Sequence, residues 1–227
     1  MPQTAAWERE YKHPQFLTKD SEPQADVRRF YKFLKKAGAF VETAFLLDLG
    51  SGTGRNGNYF ASLGAKVSGL ELSPTAVALA VQRARHIEND AEYSIGDMGK
   101  PFPYPAAHFD IAIDITSSNS LNEAERTNYL RELNRVLKPG AYFFLKALCK
   151  EGDKNAKFLL EHHPGREADT YVNQDLGLVE RVFTEKDLRD YYGSVFSILE
   201  LSRKTSYTRF KGQSYKRNFW LVYMQKK

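Results

Sequence analysis

The sequence predicts an α/β fold: a Rossmann-like, doubly wound sheet that is mostly parallel, has helices on both faces and ends in an antiparallel C-terminal edge hairpin. Three observations carry this prediction. Short apolar runs alternate with helical patterns over residues 45–148, which is typical of a parallel sheet with crossover helices. A glycine-rich turn follows the first apolar run. Two β-rich runs close the chain around the turn KGQSYKRN and suit an antiparallel pair.

The chain is predicted to divide into an N-terminal helical cap, residues 1–40, and one main domain, residues 41–227. At 227 residues there is room for one good core, because domains usually run roughly 100–200 residues. Within the cap, DVRRFYKFLKKAG places Phe30, Tyr31 and Leu34 on one helical face, so we expect this helix to pack onto the sheet.

The first half of the main domain is predicted as strand, helix, strand, helix. FLLDLG, residues 45–50, is an apolar run closed by glycine, which suits a strand buried on both faces. A short helix over NGNYFASLG and a strand over KVSGLEL follow. Ser73 then caps a helix that begins at Pro74. The apolar residues of this helix recur at helical spacing: Val77, Ala80, Val81 and Ala84.

The alternation continues with AEYSIGD as the third strand and FDIAID as the fourth. Asn122 and Glu125 have the spacing of a capping box at the start of the next helix. That helix ends at Lys138-Pro139-Gly140, and AYFFLKAL is the fifth strand. Thr184 caps a last helix over EKDLRDYYG, and the closing hairpin is formed by VFSILELSRKTSYTRF and NFWLVYMQK.

Between the fifth strand and the last helix lies a polar stretch, residues 150–183, without a clear period. Loops of this length inside a compact domain are usually functional or disordered. We therefore expect a lid or a substrate-binding segment in this part of the chain.

Composition excludes several classes of protein. With 42% hydrophobic and 27% charged residues, no apolar run approaches the roughly 20 residues of a membrane-spanning helix. The N-terminal MPQTAAWEREYKHP lacks the apolar core of a signal peptide, and Cys149 is the only cysteine, so no intrachain disulfide is possible. We expect a cytoplasmic protein with no membrane contact.

The net charge of +5 is concentrated at the C-terminus, where residues 203–227 carry eight Lys or Arg and no Asp or Glu. Cations interleaved with aromatic residues can bind the phosphates and bases of RNA. The interpretation we favour is a sheet-edge hairpin whose lysines protect an exposed edge. In a third interpretation one or two arginines, with Arg166 or Arg181, clamp an acidic small substrate. The interleaved residues are Arg203, Lys204, Tyr207, Arg209, Phe210, Lys211, Tyr215, Lys216, Arg217, Phe219 and Trp220.

The glycine-rich turn can be read in two ways. From Gly52 it is G-T-G-R-N-G, the dinucleotide pattern of nicotinamide oxidoreductases, with the acid Glu71 at a fitting distance. From Asp48 it is D-L-G-S-G-T-G, an aspartate at a strand end followed by alternating glycines. Both readings place backbone N–H groups against a ligand at a helix N-terminus. Because Gly52 lies two residues beyond Gly50, the second reading fits the strand end better.

The series LLDLGSGTGRN, GLELSP, GDM, FDIAID and LRELNRVLKPGAYFFLKA resembles, in order and spacing, the motifs of class I S-adenosylmethionine-dependent methyltransferases. With the WEREY beginning and the edge hairpin, the chain is similar to the tellurite-resistance and thiopurine methyltransferase-like subgroup, which acts on small molecules. The resemblance implies the cofactor S-adenosyl-L-methionine and the product S-adenosyl-L-homocysteine.

The resemblance also implies a set of cofactor-binding residues. The glycine loop would lie under the methionine part, an acid would hold the ribose, the next motif would hold the adenine, and the fourth strand would end beside the sulfonium. In chain order these residues are Trp7, Tyr11, Asp48, Gly50, Ser51, Gly52, Gly54, Asn56, Glu71, Leu72, Asp97, Met98, Asp114 and Ile115. Other interpretations stay open, since Asp48 and Asp97 can equally cap turns and Trp7 can pack against a helix.

Methyl transfer requires neither a metal nor a covalent intermediate, because holding the reactants in line supplies roughly 7–11 kcal/mol of the barrier. No catalytic residue can be assigned. Where many relatives carry histidines after the fourth strand, this sequence has Asn119 and Ser120. The adjacent His162 and His163 are typical of solvated loop residues, and with no cysteine or acid cluster near them we expect no metal site.

The sequence thus favours methyl transfer to an O, N or S atom of a small molecule. Arginines would suit an acidic substrate, and Tyr171, Tyr191 and Tyr192 would suit an aromatic one. The alternatives are an RNA or protein methyltransferase that uses the basic aromatic segment, and a catalytically silent S-adenosylmethionine-binding module. Nucleic acid is a partner that the sequence allows but does not favour.

Overall fold

The computed structural model describes residues 3–13, 22–210 and 213–227, with side chains at 208–210 and 213 left out. Lys211, together with the side chains of Arg209 and Phe210, therefore lies outside the described residues. The helices are α1 Thr4–Lys12, α2 Ala25–Lys36, α3 Arg55–Ser62, α4 Pro74–His86, α5 Glu123–Val136, α6 Lys154–His162 and α7 Glu185–Tyr192, with a 3-10 helix at Ser118–Ser120. The strands are β1 Phe45–Leu49, β2 Lys66–Glu71, β3 Glu92–Ile95, β4 Phe109–Ile115, β5 Leu137–Leu148, β6 Thr170–Asn173, β7 Leu178–Arg181, β8 Phe196–Phe210 and β9 Gln213–Lys226.

The main sheet has seven strands in the order β3-β2-β1-β4-β5-β9-β8. The first five are mutually parallel, whereas β9 is antiparallel to both β5 and β8. This confirms the predicted Rossmann-like fold with its edge hairpin. The order reverses between β1 and β4, and in such sheets ligands bind outside the carboxyl ends of the strands at this switch point.

Two apolar clusters hold the sheet between its helices. One contains residues of α5 and α7, and the other contains residues of α2 and α3. Helix α2 is part of this core, because the ring of Phe30 lies 5.1 Å from that of Phe144 and 5.0 Å from that of Tyr223. Leu34 is fully buried on the same face, as its spacing predicts. The division of the chain at residue 40 stays a prediction.

The predicted helix starts are confirmed by their side-chain hydrogen bonds. Ser73 accepts from the backbone N–H of Ala76 at the start of α4. Asn122 and Glu125 form a reciprocal capping box at the start of α5. Thr184 forms a second capping box at the start of α7. Each cap satisfies backbone N–H groups that a helix start would leave without a partner.

The polar stretch after β5 contains α6 and the two-stranded sheet of β6 and β7. Its strands have four residues each, too short to show a period in the sequence. The carboxylate of Asp153 fastens this stretch to the main sheet. It caps α6 at the N–H of Ala156, and its other oxygen accepts from the Asn218 N–H at 2.7 Å and from the Arg217 guanidinium at 3.1 Å.

The closing hairpin is longer than the sheet it joins. Strand β9 pairs with β5 only between Phe219 and Gln225, while β8 and β9 pair with each other along their whole length. The distal half of the hairpin therefore projects past Leu148, beyond the carboxyl end of β5. Among the described residues, no helix has the length and apolarity needed to span a bilayer.

Candidate active site

A cleft opens at the carboxyl ends of β1, β2 and β4, where the strand order reverses. It contains about 1070 Å³ of space between its walls, part of which is open to solvent. Of the residues predicted to bind a cofactor, most line this cleft: Trp7, Tyr11, Gly50, Ser51, Gly52, Asn56, Glu71, Leu72, Asp97, Met98 and Ile115. The sequence motifs that are far apart in the chain therefore meet at one place.

The glycine loop forms the floor of the cleft between β1 and α3. Gly50 and Gly52 have φ values of +63° and +54°, a left-handed conformation that side chains rarely adopt. A Cβ added at Gly50 would lie 2.3 Å from the Cβ of Ser117, and one at Gly52 would lie 2.8 Å from the hydroxyl of Tyr11. Glycine is needed here both for the turn and for the space above it.

Glu71 is held at the end of β2 by two backbone groups. One carboxylate oxygen accepts from the Gly52 N–H and the other from the Ser73 N–H, both at 2.9 Å. The side chain is buried at the cleft wall, and desolvation raises its pKa, although these N–H bonds oppose the rise. Because each carboxylate oxygen has two lone pairs, Glu71 can still accept hydrogen bonds from a ligand.

The segment after β3 supplies a second acidic group. One oxygen of Asp97 accepts from the Gly99 N–H at 2.8 Å, so this aspartate caps its own turn. It also lines the cleft, next to Gly96 and Met98. Asp97 therefore caps a turn and also lies at the cleft wall, so the two interpretations made from the sequence do not exclude each other.

Three predicted residues, Asp48, Gly54 and Asp114, are not among the residues that line the cleft. Asp48 lies beneath the glycine loop, and burial raises its pKa to about 7 while a hydrogen bond from the Gly57 backbone opposes the rise. One of its oxygens has no hydrogen-bond partner among the described residues. A direct contact between these three residues and a cofactor stays a prediction.

The fully buried Asp114 carboxylate organises the turn after β4. It accepts from the N–H groups of Ser117 at 3.0 Å and Ser118 at 3.3 Å, and from the hydroxyl of Tyr129 at 2.6 Å. Burial raises its pKa, and these hydrogen bonds oppose that effect. Since Ser117 lines the cleft, Asp114 shapes the wall from behind.

Helix α1 covers the cleft from above. Trp7 and Tyr11 line it, and burial raises the pKa of Tyr11. Glu8 fastens the helix by accepting hydrogen bonds from Ser73 and Thr75 at the N-terminus of α4. Desolvation acts to raise the pKa of Glu8, but these hydrogen bonds dominate together and lower it to about 2.

We call α1, Gln3 and strand β7, which together cover the cleft, its roof. Gln3 connects the two parts of this roof. Its side-chain N–H₂ donates to the carbonyl of Ser120 at 2.8 Å and to the carbonyl of Val179 at 2.7 Å. Its side-chain oxygen accepts from the Val179 N–H. One amide thus joins α1 to strand β7 across the cleft, which connects the N-terminus with the stretch after β5.

Several lining residues were not predicted from the sequence. Thr53 and Arg55 lie inside the glycine motif, and the residues after β4 stand at a strand end where ligands commonly bind, so position could have indicated them. Gln3 and Gln24 come from the N-terminal region, and no sequence signal marks them. The unpredicted lining residues are Gln3, Gln24, Thr53, Arg55, Leu70, Gly96, Thr116, Ser117, Ser120, Leu121 and Glu125.

The adjacent histidines are not part of the cleft wall. His162 is exposed, its ring stacks on Phe158 at 4.2 Å, and its Nδ1 lies 2.9 Å from the carbonyl of the same residue. In the part of the chain that the structure describes, no three His, Cys, Asp or Glu side chains form a group that could hold a metal ion.

Comparison with known proteins connects this geometry to a family. Residues 46–140 match the family model described as a methyltransferase domain. The 18S rRNA (guanine(1575)-N(7))-methyltransferase of Saccharomyces cerevisiae is 30% identical over 122 residues, which are 53% of this chain and 41% of that protein. This chain therefore spans less than half the length of that relative.

Solved structures agree along most of the chain. An S-adenosylmethionine-dependent methyltransferase of Methanosarcina mazei is 25% identical with a TM-score of 0.74, over 85% of this chain and 96% of that one. The 1,6-didemethyltoxoflavin-N1-methyltransferase of Burkholderia thailandensis, solved with bound 1,6-didemethyltoxoflavin and S-adenosylhomocysteine, is 18% identical with a TM-score of 0.70, over 98% and 86% of the two chains. The narrower tellurite-resistance and thiopurine-like subgroup stays a prediction. Residues 46–140 thus form a methyltransferase domain, and the strand order, the glycine loop at the switch point and these similarities support a class I S-adenosylmethionine-dependent methyltransferase.

Proposed function

We propose that this methyltransferase transfers the methyl group to an O, N or S atom of a small molecule, which is held beneath α1 and the β6–β7 sheet. Two features support this proposal: the cleft at the strand ends offers a place for the cofactor, and the elements that cover it limit the size of the acceptor. In this arrangement the stretch after β5 acts as the lid that the sequence predicts.

The residues of the cleft fit the cofactor. The left-handed turn at Gly50 and Gly52 keeps side chains out of the space next to the loop backbone. Glu71 offers carboxylate lone pairs for the ribose hydroxyls, and Asp97 with Leu72 and Met98 forms a wall of mixed polarity suited to adenine. The bound cofactor would supply a methyl group on a sulfonium that is already activated. The protein then has to orient the acceptor and exclude water.

One observation favours a small acceptor, namely the bridge made by Gln3. Its amide bonds to both Ser120 and Val179, so α1 and β7 meet over the cleft. A small molecule fits under such a roof, whereas a nucleic acid helix or a folded domain would have to displace it. Where α1 and β7 cover the cleft, the exclusion of water also strengthens polar contacts beneath them.

RNA is the second candidate, because the basic hairpin projects on the cleft side of the sheet and one relative is an rRNA methyltransferase. Tyr207 on this hairpin is 70% exposed, as a base-stacking residue would be. The cations of the hairpin favour a structural role instead. Lys204 pairs with Asp26, Arg217 pairs with Asp153, and Arg203 donates to the Glu151 carbonyl.

The cofactor step can be tested by calorimetric titration with S-adenosylmethionine, S-adenosylhomocysteine and NADH. We expect binding of the two adenosyl ligands and no binding of NADH. Gly52→Val should abolish this binding, while Gly38→Val is the matched control, since Gly38 has a similar φ of +76° and open space around it. Adenosyl binding that survives Gly52→Val would contradict the proposed site.

The acceptor can be tested by incubating the enzyme with radiolabelled S-adenosylmethionine and either small-molecule pools or total RNA. We expect label in the small-molecule fraction. Label in RNA that disappears steeply with added salt would instead support the RNA candidate. Adenosyl binding without any transfer in either arm would favour a silent binding module.

A further inference from the structure

Two buried arginines lie beside the cleft without a carboxylate partner. Arg126 on α5 is 1% exposed and Arg181 on β7 is 8% exposed. Both guanidinium groups lie over the same two aromatic rings: they are 4.9 and 5.4 Å from the ring centre of Phe183, and 5.9 and 5.2 Å from that of Tyr191. The two cations are thus buried together around one aromatic platform.

The hydrogen bonds of the two guanidinium groups do not use all of their N–H donors. Arg126 donates to the carbonyls of Ser118 at 3.0 Å and Leu121 at 2.6 Å, and Arg181 donates to the Tyr191 hydroxyl at 3.2 Å. The Nε–H of each arginine is buried and has no partner among the described residues. Within the same residues, neither arginine forms an ion pair with a carboxylate.

No carboxylate of the described residues is close enough to either arginine to form an ion pair. Burial lowers the pKa of Arg126, and the charge of Arg181 acts in the same direction. Glu167 acts against this, but its carboxylate accepts from the Glu123 backbone N–H at 3.0 and 3.2 Å. Arg217, a half-buried arginine, has such a partner, since its guanidinium pairs with the carboxylate of Asp153. Buried charges normally have such a partner, and its absence beside Arg126 and Arg181 points to a ligand.

Further hydrogen-bond donors without partners lie near Arg126 and Arg181. The side-chain N–H₂ of Asn119 and the hydroxyl of Ser120 are buried and have no partner among the described residues. Asn119 and Ser120 belong to the 3-10 helix whose Ser118 carbonyl receives Arg126, and β7 packs against that helix. Ser120 also lines the cleft. Donors left without acceptors are rare in folded proteins, and here they gather where cleft and arginines meet.

We propose that Arg126 and Arg181 form an anion subsite that holds a carboxylate or phosphate group of an acidic small-molecule acceptor beside the cofactor cleft. The inference rests on the proposed methyl transfer to a small molecule and specifies its substrate class. Two planar guanidinium groups present N–H donors with the geometry that carboxylate and phosphate oxygens accept. The free donors of the 3-10 helix can bind the remaining oxygens.

The roof explains how a buried subsite is reached. Arg181 and Val179 belong to the same short strand, and Gln3 holds Val179 to α1. Opening the subsite then requires release of this amide and a movement of β7, with its partner strand β6, away from the 3-10 helix. Binding of the anion draws Arg181 back, so the acidic group of the acceptor itself closes the lid.

The test measures anion binding without activity. Thermal unfolding is followed with inorganic phosphate, malonate and chloride at equal ionic strength, for wild type, Arg181→Gln, Arg181→Lys and the exposed control Arg189→Gln. We expect a saturable rise of Tm with phosphate or malonate that Arg181→Gln loses, Arg181→Lys retains in part and Arg189→Gln retains fully. A response to phosphate alone or to malonate alone identifies which group the site takes.

A wild-type response no larger than with chloride, or a response that Arg181→Gln retains, would overturn the proposal. Titration with S-adenosylhomocysteine in the same variants separates this outcome from failure of the proposed function, because the cofactor cleft does not include Arg181. With an acidic acceptor in hand, Arg181→Gln should raise KM about 10-fold to 100-fold for the acid and not for its neutral amide. Equal effects on both would contradict an anion subsite.

Discussion

Replacement of Glu71 by glutamine isolates the acid that we place on the cofactor ribose. In the protein, its two oxygens accept from the backbone N–H groups of Gly52 and Ser73, both at 2.9 Å. A glutamine side chain keeps one acceptor oxygen and turns an N–H₂ group toward the other backbone N–H. One charge-assisted hydrogen bond is lost, and such a bond contributes about 1.5–3 kcal/mol.

The magnitude of the loss of stability lies at the lower end of this range. Burial raises the pKa of Glu71, which means that desolvation of the carboxylate already offsets part of what its hydrogen bonds contribute. We expect the free energy of unfolding to fall by about 1.5 kcal/mol, which lowers Tm by roughly 3–6 °C in a protein of this size. Loss of the ribose contact weakens binding of S-adenosylhomocysteine about 10-fold to 100-fold.

The assay pairs calorimetric titration with thermal unfolding, and Glu132→Gln is the matched control. Glu132 is buried and accepts from the Phe102 N–H at 2.9 Å, but it does not line the cleft. The control should lose stability and keep its cofactor affinity. Glu71→Gln with unchanged affinity would refute the assignment of the ribose to this acid.

The remaining predictions concern the roof and its anchors. The pKa of Glu8 is lowered to about 2, so its hydrogen bonds hold α1 in place fully above pH 4.5 and are lost as the pH falls through 2. Hydrogen exchange of the α1 backbone, measured across this pH range, tests this prediction. Glu8→Gln should abolish the pH dependence. Gln3→Ala should raise the KM of the acceptor several-fold while S-adenosylhomocysteine affinity changes little, since the lost bonds join the roof to Ser120 and Val179; equal losses in both would show that Gln3 acts on the cofactor. Asp153→Ala should lower the free energy of unfolding by about 3–5 kcal/mol, because it removes the buried carboxylate that pairs with Arg217 and accepts from the Ala156 and Asn218 N–H groups; chemical denaturation measures this, and a change below 1 kcal/mol would contradict it.

The sequence was sufficient for the sheet and the glycine loop because both depend on local patterns. A buried parallel strand is apolar throughout, a helix start needs a cap, and a left-handed turn needs glycine. These requirements mark FLLDLG, the Asn122–Glu125 box and Gly52 within a few residues of chain. Periodicity extends such local signals over whole elements, which is why the alternation of strands and helices over residues 45–148 and the closing hairpin were predicted correctly, whereas α6, β6 and β7 were not.

The roof could not be predicted because it depends on contacts between distant residues. Gln3 meets Val179 across 176 positions, and neither residue belongs to a motif. Strands β6 and β7 are too short for an alternating pattern to emerge. Sequence position also does not tell which way a side chain points. The position of Asp114 at the end of β4 gave no sign that its carboxylate accepts from the Ser117 and Ser118 N–H groups, and its place beside the sulfonium stays a prediction.

The carboxyl group under the glycine loop links cofactor binding to protons. Burial raises the pKa of Asp48 to about 7, so we expect its protonation to respond to a charged ligand near neutral pH. A ligand that brings the positive charges of a sulfonium and an ammonium group over this loop favours the ionised carboxylate and expels that proton. Affinity for S-adenosylmethionine should therefore increase with pH between 6 and 8. The demethylated product has one positive charge fewer, so we expect it to release a smaller fraction of a proton and its affinity to change less with pH.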